Sequence, residues 1–396
     1  MLVLAGLASS FAQFGSVSSL NDVARHFGHV AATGSLRSAV GLSGSLLGLG
    51  LAVLRVASLG ALPLAAMADR RGRVHVVRRT LTVGLAVTAL AALSPGYWYF
   101  VVAFALARPL LSAASTVVQV AVVEISTTAN RVHRLALLAA GAGVGAGLSA
   151  VLHGVIRGPQ AFRWLFLLAV VPAVLLPRAL RHVTEPREHD PTAQWPRLGS
   201  VPRGLRGRTI AVAVVAAAVG AITGPANGFA FVYGEGVLGL SPAHVAGVVT
   251  VSGVAGFGGL LLSRRLAHSI GRRPTVALGV VALAAGSVVA YWGGARLFEL
   301  GYFAAVGAAG LLAPAASALS TEIFPGSVRA TTLGWTAVAG VVGATLGLVV
   351  FGWIGDAVSA HGAAALRPAA LITFLPLVPA ILLLARLPES AGVEIV

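Results

Sequence analysis

The sequence predicts an all-α membrane protein with twelve transmembrane helices in two pseudo-symmetric six-helix bundles. Hydrophobic residues make up 57% of the 396 residues and charged residues only 10%, whereas soluble domains carry about 25% charged residues. A membrane-spanning helix needs about 20 apolar residues, so twelve such helices fit a chain of this length. Short motifs of the first half also recur in the second half, which indicates a duplicated six-helix unit.

Twelve apolar stretches follow one another along the chain, and each is bounded by turn residues or charges. The first six lie near residues 1–21, 43–67, 75–94, 98–122, 134–154 and 162–177. The second six lie near residues 209–231, 244–264, 274–292, 296–319, 331–353 and 369–386. The chain is therefore predicted to contain a first bundle over 1–177, a cytoplasmic linker over 178–208 and a second bundle over 209–396.

The duplication is visible in paired motifs that recur at nearly one offset. Glu124-Ile125 matches Glu322-Ile323, which lies 198 residues later in the chain. Val144-Gly145-Ala146 recurs as Val342-Gly343-Ala344 at the same offset of 198 residues. Because one offset relates separate motifs, we interpret the two halves as copies of one six-helix unit.

All 28 basic residues are arginines, and they give the chain a net charge of +16. In a soluble domain this charge would suggest binding to nucleic acid, but 20 of the arginines fall on one side of the predicted membrane. Six fall on the other side, and Arg55 and Arg108 lie within apolar stretches. The positive-inside rule therefore predicts a bacterial-type inner-membrane protein with cytoplasmic termini and no nucleic-acid partner.

Four segments resemble signatures of the major facilitator superfamily of secondary transporters. The loop after the second stretch reads Ala65-Ala66-Met67-Ala68-Asp69-Arg70-Arg71-Gly72-Arg73, similar to that family's Gly-x-Leu-Ala-Asp-Arg-x-Gly-Arg signature. Its counterpart in the second half ends His268-Ser269-Ile270-Gly271-Arg272-Arg273. Residues 322–329 resemble the loop after helix 10 of sugar and metabolite porters, and residues 387–390 resemble their C-terminal ending. The resemblance implies the twelve-helix fold of that family.

The loop residues are expected to act as a cytoplasmic gate, by resemblance. Asp69 is predicted to cap the third helix, and Arg73 to offer its planar guanidinium to a carboxylate such as Glu124. The alternative interpretation is a solvated, positively charged loop. His268 replaces the signature Asp in the second half, so the network there is expected to be weaker. The predicted gating residues are Asp69, Gly72, Arg73, Glu124, Arg131, Gly271, Arg272, Glu322 and Arg329.

Arg55 and Arg108 are the main candidates for substrate binding. An arginine near the membrane midplane costs at least about 2.5 kcal/mol, so it is expected to face a partner or a wet cavity. Two such cations favour an anionic substrate. Alternatively, Arg55 binds helix carbonyls or extends to the membrane surface. The sequence also predicts that Gly224-Pro225 interrupts the seventh helix. Further cavity candidates, each of which could instead form an interhelical hydrogen bond, are Gln13, Ser16, Ser112, Gln119, Thr223, Asn227 and Ser317.

Asp22 is the candidate for proton coupling, although a surface acid next to Arg25 is the simpler interpretation. His26 and His29 have no evident third ligand and the chain has no cysteine, so neither a metal nor another cofactor is expected. The sequence contains no P-loop and no His-Glu-x-x-His motif, so we do not predict an enzyme.

The predicted function is secondary active transport of a small organic solute, with an anionic metabolite as the candidate class, driven by a proton or other ion gradient. The expected partners are this solute, the coupling ion and membrane lipids, and the protein is expected to be a monomer. One alternative is a drug/H+ antiporter, for which the first helix lacks the expected acid and the fifth lacks a Gly-Pro motif. A second alternative is a non-transporting membrane sensor or lipid-handling protein.

Overall fold

The computed structural model describes residues 1–29, 36–127, 130–156, 158, 160–181, 183, 185, 201–358 and 366–389. Within these ranges every regular element is a helix. Among the described residues, eleven helical spans are long and apolar enough to cross a membrane. Three of these spans join two consecutive α-helices: Gly44–Arg71, Ala161–Leu180 and Arg367–Leu384. A bent helix pair at the N-terminus, Leu2–Ser18 with Leu20–Phe27, gives a twelfth if the pair forms one span. The predicted all-α membrane fold is therefore confirmed.

The helices follow the predicted apolar stretches, although several stretches are divided. Those before the linker are α1 Leu2–Ser18, α2 Leu20–Phe27, α3 Leu36–Val40, α4 Gly44–Ala57, α5 Ala61–Arg71, α6 Arg73–Leu90, α7 Tyr97–Glu124, α8 Arg131–Val155, α9 Ala161–Leu167 and α10 Val170–Leu180. Those after it are α11 Arg203–Gly228, α12 Pro242–Ser269, α13 Arg272–Ala290, α14 Ala295–Glu322, α15 Gly326–Ala357, α16 Arg367–Ile372 and α17 Leu377–Leu384.

The chain packs as two compact units. Unit 1 comprises Met1–Gly28, Val53–Pro196 and Ser241–Ala246, and unit 2 comprises His29–Ala52, Arg197–Leu240 and Gly247–Val396. The first part of α4 therefore packs in unit 2, although the sequence suggests that it belongs to the first bundle. The bundle boundaries at 1–177 and 209–396 stay a prediction.

Unit 1 is held together by a continuous aliphatic core and an aromatic cluster. The core joins α1, α6, α7, α8 and α10, and its members include Leu81, Leu85 and Val117. The rings of Phe104 and Phe166 pack edge to face with centroids 5.0 Å apart. Within the membrane these contacts stabilise the bundle through close van der Waals packing, because lipid tails are as apolar as the side chains themselves.

Unit 2 has an equivalent aliphatic core on α11, α13, α14 and α17. Helices α11 and α15 approach so closely that a Cβ on Gly343 would collide with the backbone of Ala217. The carboxylate of Asp356, near the end of α15, accepts hydrogen bonds from the backbone N–H groups of Gly44 and Ser45 at 2.7 and 2.8 Å. Asp356 therefore caps α4 within unit 2.

The prediction that Gly224-Pro225 interrupts the seventh helix was wrong. Helix α11 continues through Pro225 to Gly228. The Tyr291 hydroxyl lies 3.1 Å from the Pro225 carbonyl oxygen and 3.0 Å from that of Ala226. This tyrosine, which follows α13, therefore donates a hydrogen bond to carbonyl groups in the last part of α11. The irregular backbone comes later, in a short π-helix over Val232–Val237.

Candidate functional site

Arg55 lies near the middle of the second predicted span, just before a 3₁₀ turn over Ser58–Gly60 that joins α4 to α5. The Ser58 hydroxyl donates to the Arg55 carbonyl oxygen at 2.5 Å, which stabilises the turn. A Cβ on Gly60 would lie 3.0 Å from Pro109 Cβ, so this turn packs tightly against α7. The glycine therefore allows the backbone after Arg55 to approach the residue that follows Arg108.

Arg108 lies on α7 and belongs to a polar network that joins α7 to α1. Its Nη1 donates to the Gln13 carbonyl oxygen at 3.4 Å, and the Ser112 hydroxyl donates to Gln13 Oε1 at 3.2 Å. Gln13 Nε2 donates to the Ser9 hydroxyl at 3.0 Å, and the Ser115 hydroxyl donates to Ser9 at 2.9 Å. We call Ser9, Gln13, Arg55, Arg108, Ser112 and Ser115 the arginine cluster.

The arginine cluster carries two positive charges that are not neutralised. Both arginines are half-buried within their spans, and their like charges repel each other. Among the described residues, neither side chain has a carboxylate partner. Arg108 Nε is buried and has no hydrogen-bond acceptor within the described chain. The site therefore favours a negatively charged ligand.

Two members of the arginine cluster were absent from the sequence prediction. Ser9 precedes Gln13 by one helical turn, and Ser115 follows Ser112 by three residues, so helical spacing of the polar residues could have identified both. Of the two remaining predicted candidates of unit 1, Ser16 contacts a member of this cluster. Ser16 is buried and donates to the carbonyl oxygen of Gln13 at 2.9 Å, whereas Gln119 is an exposed residue of α7.

In unit 2, the predicted polar residues of α11 donate hydrogen bonds to carbonyl groups one turn earlier in the same helix. The Thr223 hydroxyl donates to the Val219 carbonyl oxygen at 2.8 Å, and Asn227 Nδ2 donates to the Thr223 carbonyl oxygen at 3.0 Å. The Tyr302 hydroxyl donates to Asn227 Oδ1 at 3.2 Å, so Asn227 links α11 to α14. Ser317 is exposed on α14.

Asp22 lies on the short helix α2, which bends away from α1 by 44°. The bend turns Asp22 towards α8, where its Oδ2 lies 3.4 Å from Nδ1 of the buried residue His153. The Asp22 side chain is only 24% exposed. The structure thus brings Asp22 to a titratable partner that the sequence reading did not identify, since the two residues lie far apart in the chain.

The predicted gating residues of unit 1 form an ion-pair cluster at the start of α6. Arg73 Nη2 lies 2.9 Å from Asp69 Oδ1, and Arg73 Nε lies 2.6 Å from Glu124 Oε2. The Arg73 and Glu124 side chains are each only 12% exposed. The side chain of Arg131 lies outside the described residues. We call Asp69, Gly72, Arg73, Glu124 and Glu185 the α6 cluster.

The prediction that Asp69 caps the third helix was wrong, because Asp69 lies within the last turn of α5. The cap is instead Glu185, whose two carboxylate oxygens accept the backbone N–H groups of Val74 and His75 at 3.1 and 3.0 Å. Gly72 precedes α6 with φ of +90°, and a Cβ there would lie 2.7 Å from Glu185 Oε1. Glycine is therefore required both for the turn and for the cap.

Unit 2 repeats this arrangement at the start of α13. Arg272 Nη2 lies 2.8 Å from Glu322 Oε1, and Gly271 has φ of +97°. The carboxylate of Glu389 accepts the backbone N–H groups of Arg272 and Arg273 at 2.8 and 3.0 Å. We call Gly271, Arg272, Glu322 and Glu389 the α13 cluster. Arg329 instead donates to the carbonyl oxygen of Phe324 at 3.3 Å.

The fold has close structural relatives among solved transporters. A bacterial homologue of the human lysosomal transporter Spinster, in an inward-facing and occupied conformation, superposes with a TM-score of 0.74 at 15% identity over 99% of this chain and 97% of that one. A D-xylose–proton symporter gives 0.73 at 19% identity over 100% and 98%. The human organic anion transporter MFSD10 gives 0.66 at 15% identity over 97% and 98%.

Sequence comparison identifies the family directly. No curated protein sequence matches the chain. A family model described as Major Facilitator Superfamily matches residues 2–296, which is well over half of the chain. With this match and the helical architecture of both units, the chain belongs to the major facilitator superfamily of membrane transporters.

Proposed function

We propose that this chain is a secondary active transporter that moves a small organic anion across the inner membrane by alternating access. The observation that carries the proposal is the pair Arg55 and Arg108, which lie in the middle of their spans without a carboxylate partner among the described residues. A buried charge without a partner is costly in the membrane. An anionic ligand would remove this cost and the repulsion between the two arginines.

A carboxylate fits this site better than a neutral polar group does. Guanidinium groups bind carboxylates through charge-assisted hydrogen bonds with matched planar geometry. Gln13 and Ser112 would then contact the remaining polar atoms of the ligand, because both already lie in the network around Arg108. The likeness to an organic anion transporter, at 15% identity, shows a shared fold and not a shared substrate.

Proton coupling is proposed to use Asp22 and His153. Their atoms are 3.4 Å apart, and His153 is 3% exposed, so a proton taken up here would change a buried charge pair. The energy source would be a proton gradient, as in the xylose symporter that this fold resembles. In proteoliposomes, Asp22→Asn is expected to abolish the acidification of the lumen that accompanies substrate uptake. Exchange of substrate across the membrane should continue.

The α6 and α13 clusters are proposed to act as the cytoplasmic gate, with both termini in the cytoplasm and the protein working as a monomer among lipids. The 20 arginines on one predicted side support this orientation. The chain has no cysteine, so single cysteines can report it directly. Arg70→Cys is expected to react with an impermeant maleimide only after inside-out vesicles are prepared, and Trp98→Cys only in intact cells.

The central experiment measures ligand stabilisation of the purified transporter. Carboxylates, neutral sugars and cationic drugs are screened by thermal unfolding, and hits are then tested for uptake into proteoliposomes. We expect carboxylates to stabilise the protein. Arg55→Ala and Arg108→Ala are expected to weaken this binding about tenfold or more, since each removes a charge-assisted hydrogen bond.

Arg296→Ala is the matched control, because Arg296 is an exposed arginine at the start of α14. It removes the same charge and should leave carboxylate binding unchanged. Stabilisation by cationic drugs alone would instead support a drug/H+ antiporter. Stabilisation by neutral sugars alone, or full carboxylate binding in both arginine variants, would contradict the anion proposal.

A further inference from the structure

Unit 2 contains a cavity of about 430 Å³, and every residue that lines it belongs to that unit. Its walls are aliphatic residues of α11, α13, α14 and α17, and none of the residues that line it is charged. This volume lies within the range of about 300–1,000 Å³ that is typical of small-molecule sites. The cavity is therefore large enough to hold an organic ligand and has an apolar wall.

Three of the four hydroxyl groups in the wall are already satisfied by carbonyl groups of their own helices. The hydroxyls of Thr223, Ser320 and Thr336 donate to backbone oxygens at 2.8, 3.0 and 2.8 Å. Among the described residues, the hydroxyl of Ser317 has no such bond. Among the described hydroxyls of the wall, Ser317 is thus the one free to donate a hydrogen bond to a ligand, whereas the other three can only accept one. The rest of the lining is apolar.

The cavity has a cause in the sequence, because the duplicated positions of unit 1 carry larger side chains. Counting 198 residues back, four lining residues of unit 2, Ala309, Ala316, Ser320 and Thr336, correspond to Leu111, Val118, Val122 and Leu138. All four counterparts are buried in the core of unit 1. Smaller side chains at these positions leave space in unit 2.

Two neighbouring exchanges run in the opposite direction without closing the cavity. Leu312 and Leu319 stand where unit 1 has Ala114 and Ala121. Both leucines are almost fully buried, at 4% and 3% exposed, and they pack into the aliphatic core of unit 2. Both leucines also line the cavity, which stays open because four of its other positions carry smaller side chains than their counterparts in unit 1.

We infer that this cavity is a binding site for an uncharged organic molecule with an apolar body and one hydrogen-bonding end, which contacts Ser317. An apolar cavity favours such molecules because its walls offer water few hydrogen bonds, so an apolar ligand has little bound water to displace. A charged ligand would lose its hydration there without finding a partner in the wall. The site does not depend on the anion proposal, because its lining belongs to unit 2 alone.

The test uses 1-decanol that carries a photoreactive diazirine on its alkyl chain, applied to the full chain in phospholipid nanodiscs. After irradiation, mass spectrometry locates the labelled residues. We expect labels on the cavity-lining parts of α13 and α14 that an excess of unlabelled 1-decanol removes. Labels on the exposed residues Leu300 and Phe303 should not saturate, because they report probe dissolved in the bilayer.

The double variant Ala309→Leu and Ala316→Val fills the cavity with the side chains that unit 1 carries. It should lower the competable labelling at least about tenfold, as expected when the apolar contact area of a ligand is lost. Ala304→Leu is the matched control, since Ala304 is an exposed residue of the same helix. If the double variant does not fold, Thr336→Leu fills the cavity from α15.

Ser317→Ala tests the polar contact separately. It should weaken labelling by the alcohol about threefold, the value expected for one neutral hydrogen bond, and leave labelling by the matching alkane probe unchanged. Undiminished labelling of the lining residues in the filled variants, or labels confined to bilayer-exposed positions, would overturn the inference. Loss of carboxylate binding in the Arg108 variant has no bearing on this result, so the two proposals fail independently.

Discussion

Helices α7 and α14 are duplicates that agree at one end and differ in the middle. Both end in a glutamate that pairs with an arginine, Glu124 with Arg73 and Glu322 with Arg272. In the middle of α7 lie Arg108, Ser112 and Ser115, whereas the positions 198 residues later in α14 are Val306, Gly310 and Ala313.

The two units share an arrangement at these helix ends and have diverged at the helix centres. The helix ends carry equivalent ion pairs and equivalent carboxylate caps, so a common mechanical requirement is the simplest explanation. The centres carry two charges in unit 1 and an apolar cavity in unit 2. We therefore propose that ligand recognition differs between the units. Equivalent substitutions should then have equal effects at the helix ends and unequal effects at the helix centres.

The largest expected effect comes from removing the arginine at either end. Arg73→Ala leaves Glu124, and Arg272→Ala leaves Glu322, and each of these glutamates is 12% exposed. An unpaired carboxylate at this burial costs about 3 kcal/mol, so both variants should lose similar stability. Unfolding in mixed micelles of dodecyl sulfate measures the loss.

Arg79→Ala, which removes an exposed arginine of α6, serves as the control and should change stability little. A loss at Arg272 of less than half the loss at Arg73 would show that the ends have diverged as well. Such a result would fit the replacement of the signature Asp by His268, because Asp69 Oδ1 lies 2.9 Å from Arg73 Nη2 and the matching position of unit 2 carries a histidine instead of a carboxylate.

The next effect comes from exchanging the central residues. Val306→Arg places a cation in α14 without the polar network that surrounds Arg108, and it should cost about 2.5 kcal/mol or more. Arg108→Val removes a charge that repels Arg55, so it should leave the unfolding free energy nearly unchanged while carboxylate binding is lost. Val306→Leu controls for size. Equal destabilisation by the two exchanges would contradict the proposed asymmetry of the centres.

The sequence was sufficient for the fold class and for the pairs whose members lie in recognisable motifs. Arg73 with Glu124 is the example. Arg272 and Glu322 were predicted only as gating residues, and the duplicated motifs could have paired them as well.

The sequence was insufficient where partners are distant in sequence and carry no local pattern. In the second half, the capping residue Glu389 lies in a Pro-Glu-Ser motif. Glu185 lies in no such motif, so its capping of α6 was not predicted.

The same reason explains the other differences. His153 meets Asp22 only because α2 bends, and a bend between two short helices depends on tertiary packing rather than on helical periodicity. The cavity of unit 2 was missed because each lining residue is an ordinary helix residue. Only the comparison of Ala309 and Ala316 with the duplicated positions of unit 1 shows that volume is missing there.

The smallest expected effect concerns the two carboxylate caps, and it compares the ends most closely. Glu185→Gln and Glu389→Gln should each cost about 1 kcal/mol, because an amide keeps one acceptor oxygen but loses the charge that interacts with the helix dipole. Glu185 is exposed and Glu389 is only partly exposed. Salt screens exposed charges more strongly than partly buried ones.

Raising the ionic strength should therefore reduce the cost of Glu185→Gln more than that of Glu389→Gln, although the two costs are similar at low salt. The measurement is the shift in unfolding midpoint of each variant against the unaltered chain at low and high sodium chloride. If either substitution has no effect at low salt, that carboxylate does not stabilise its helix, and the likeness of the two ends would rest on the arginine–glutamate pairs alone.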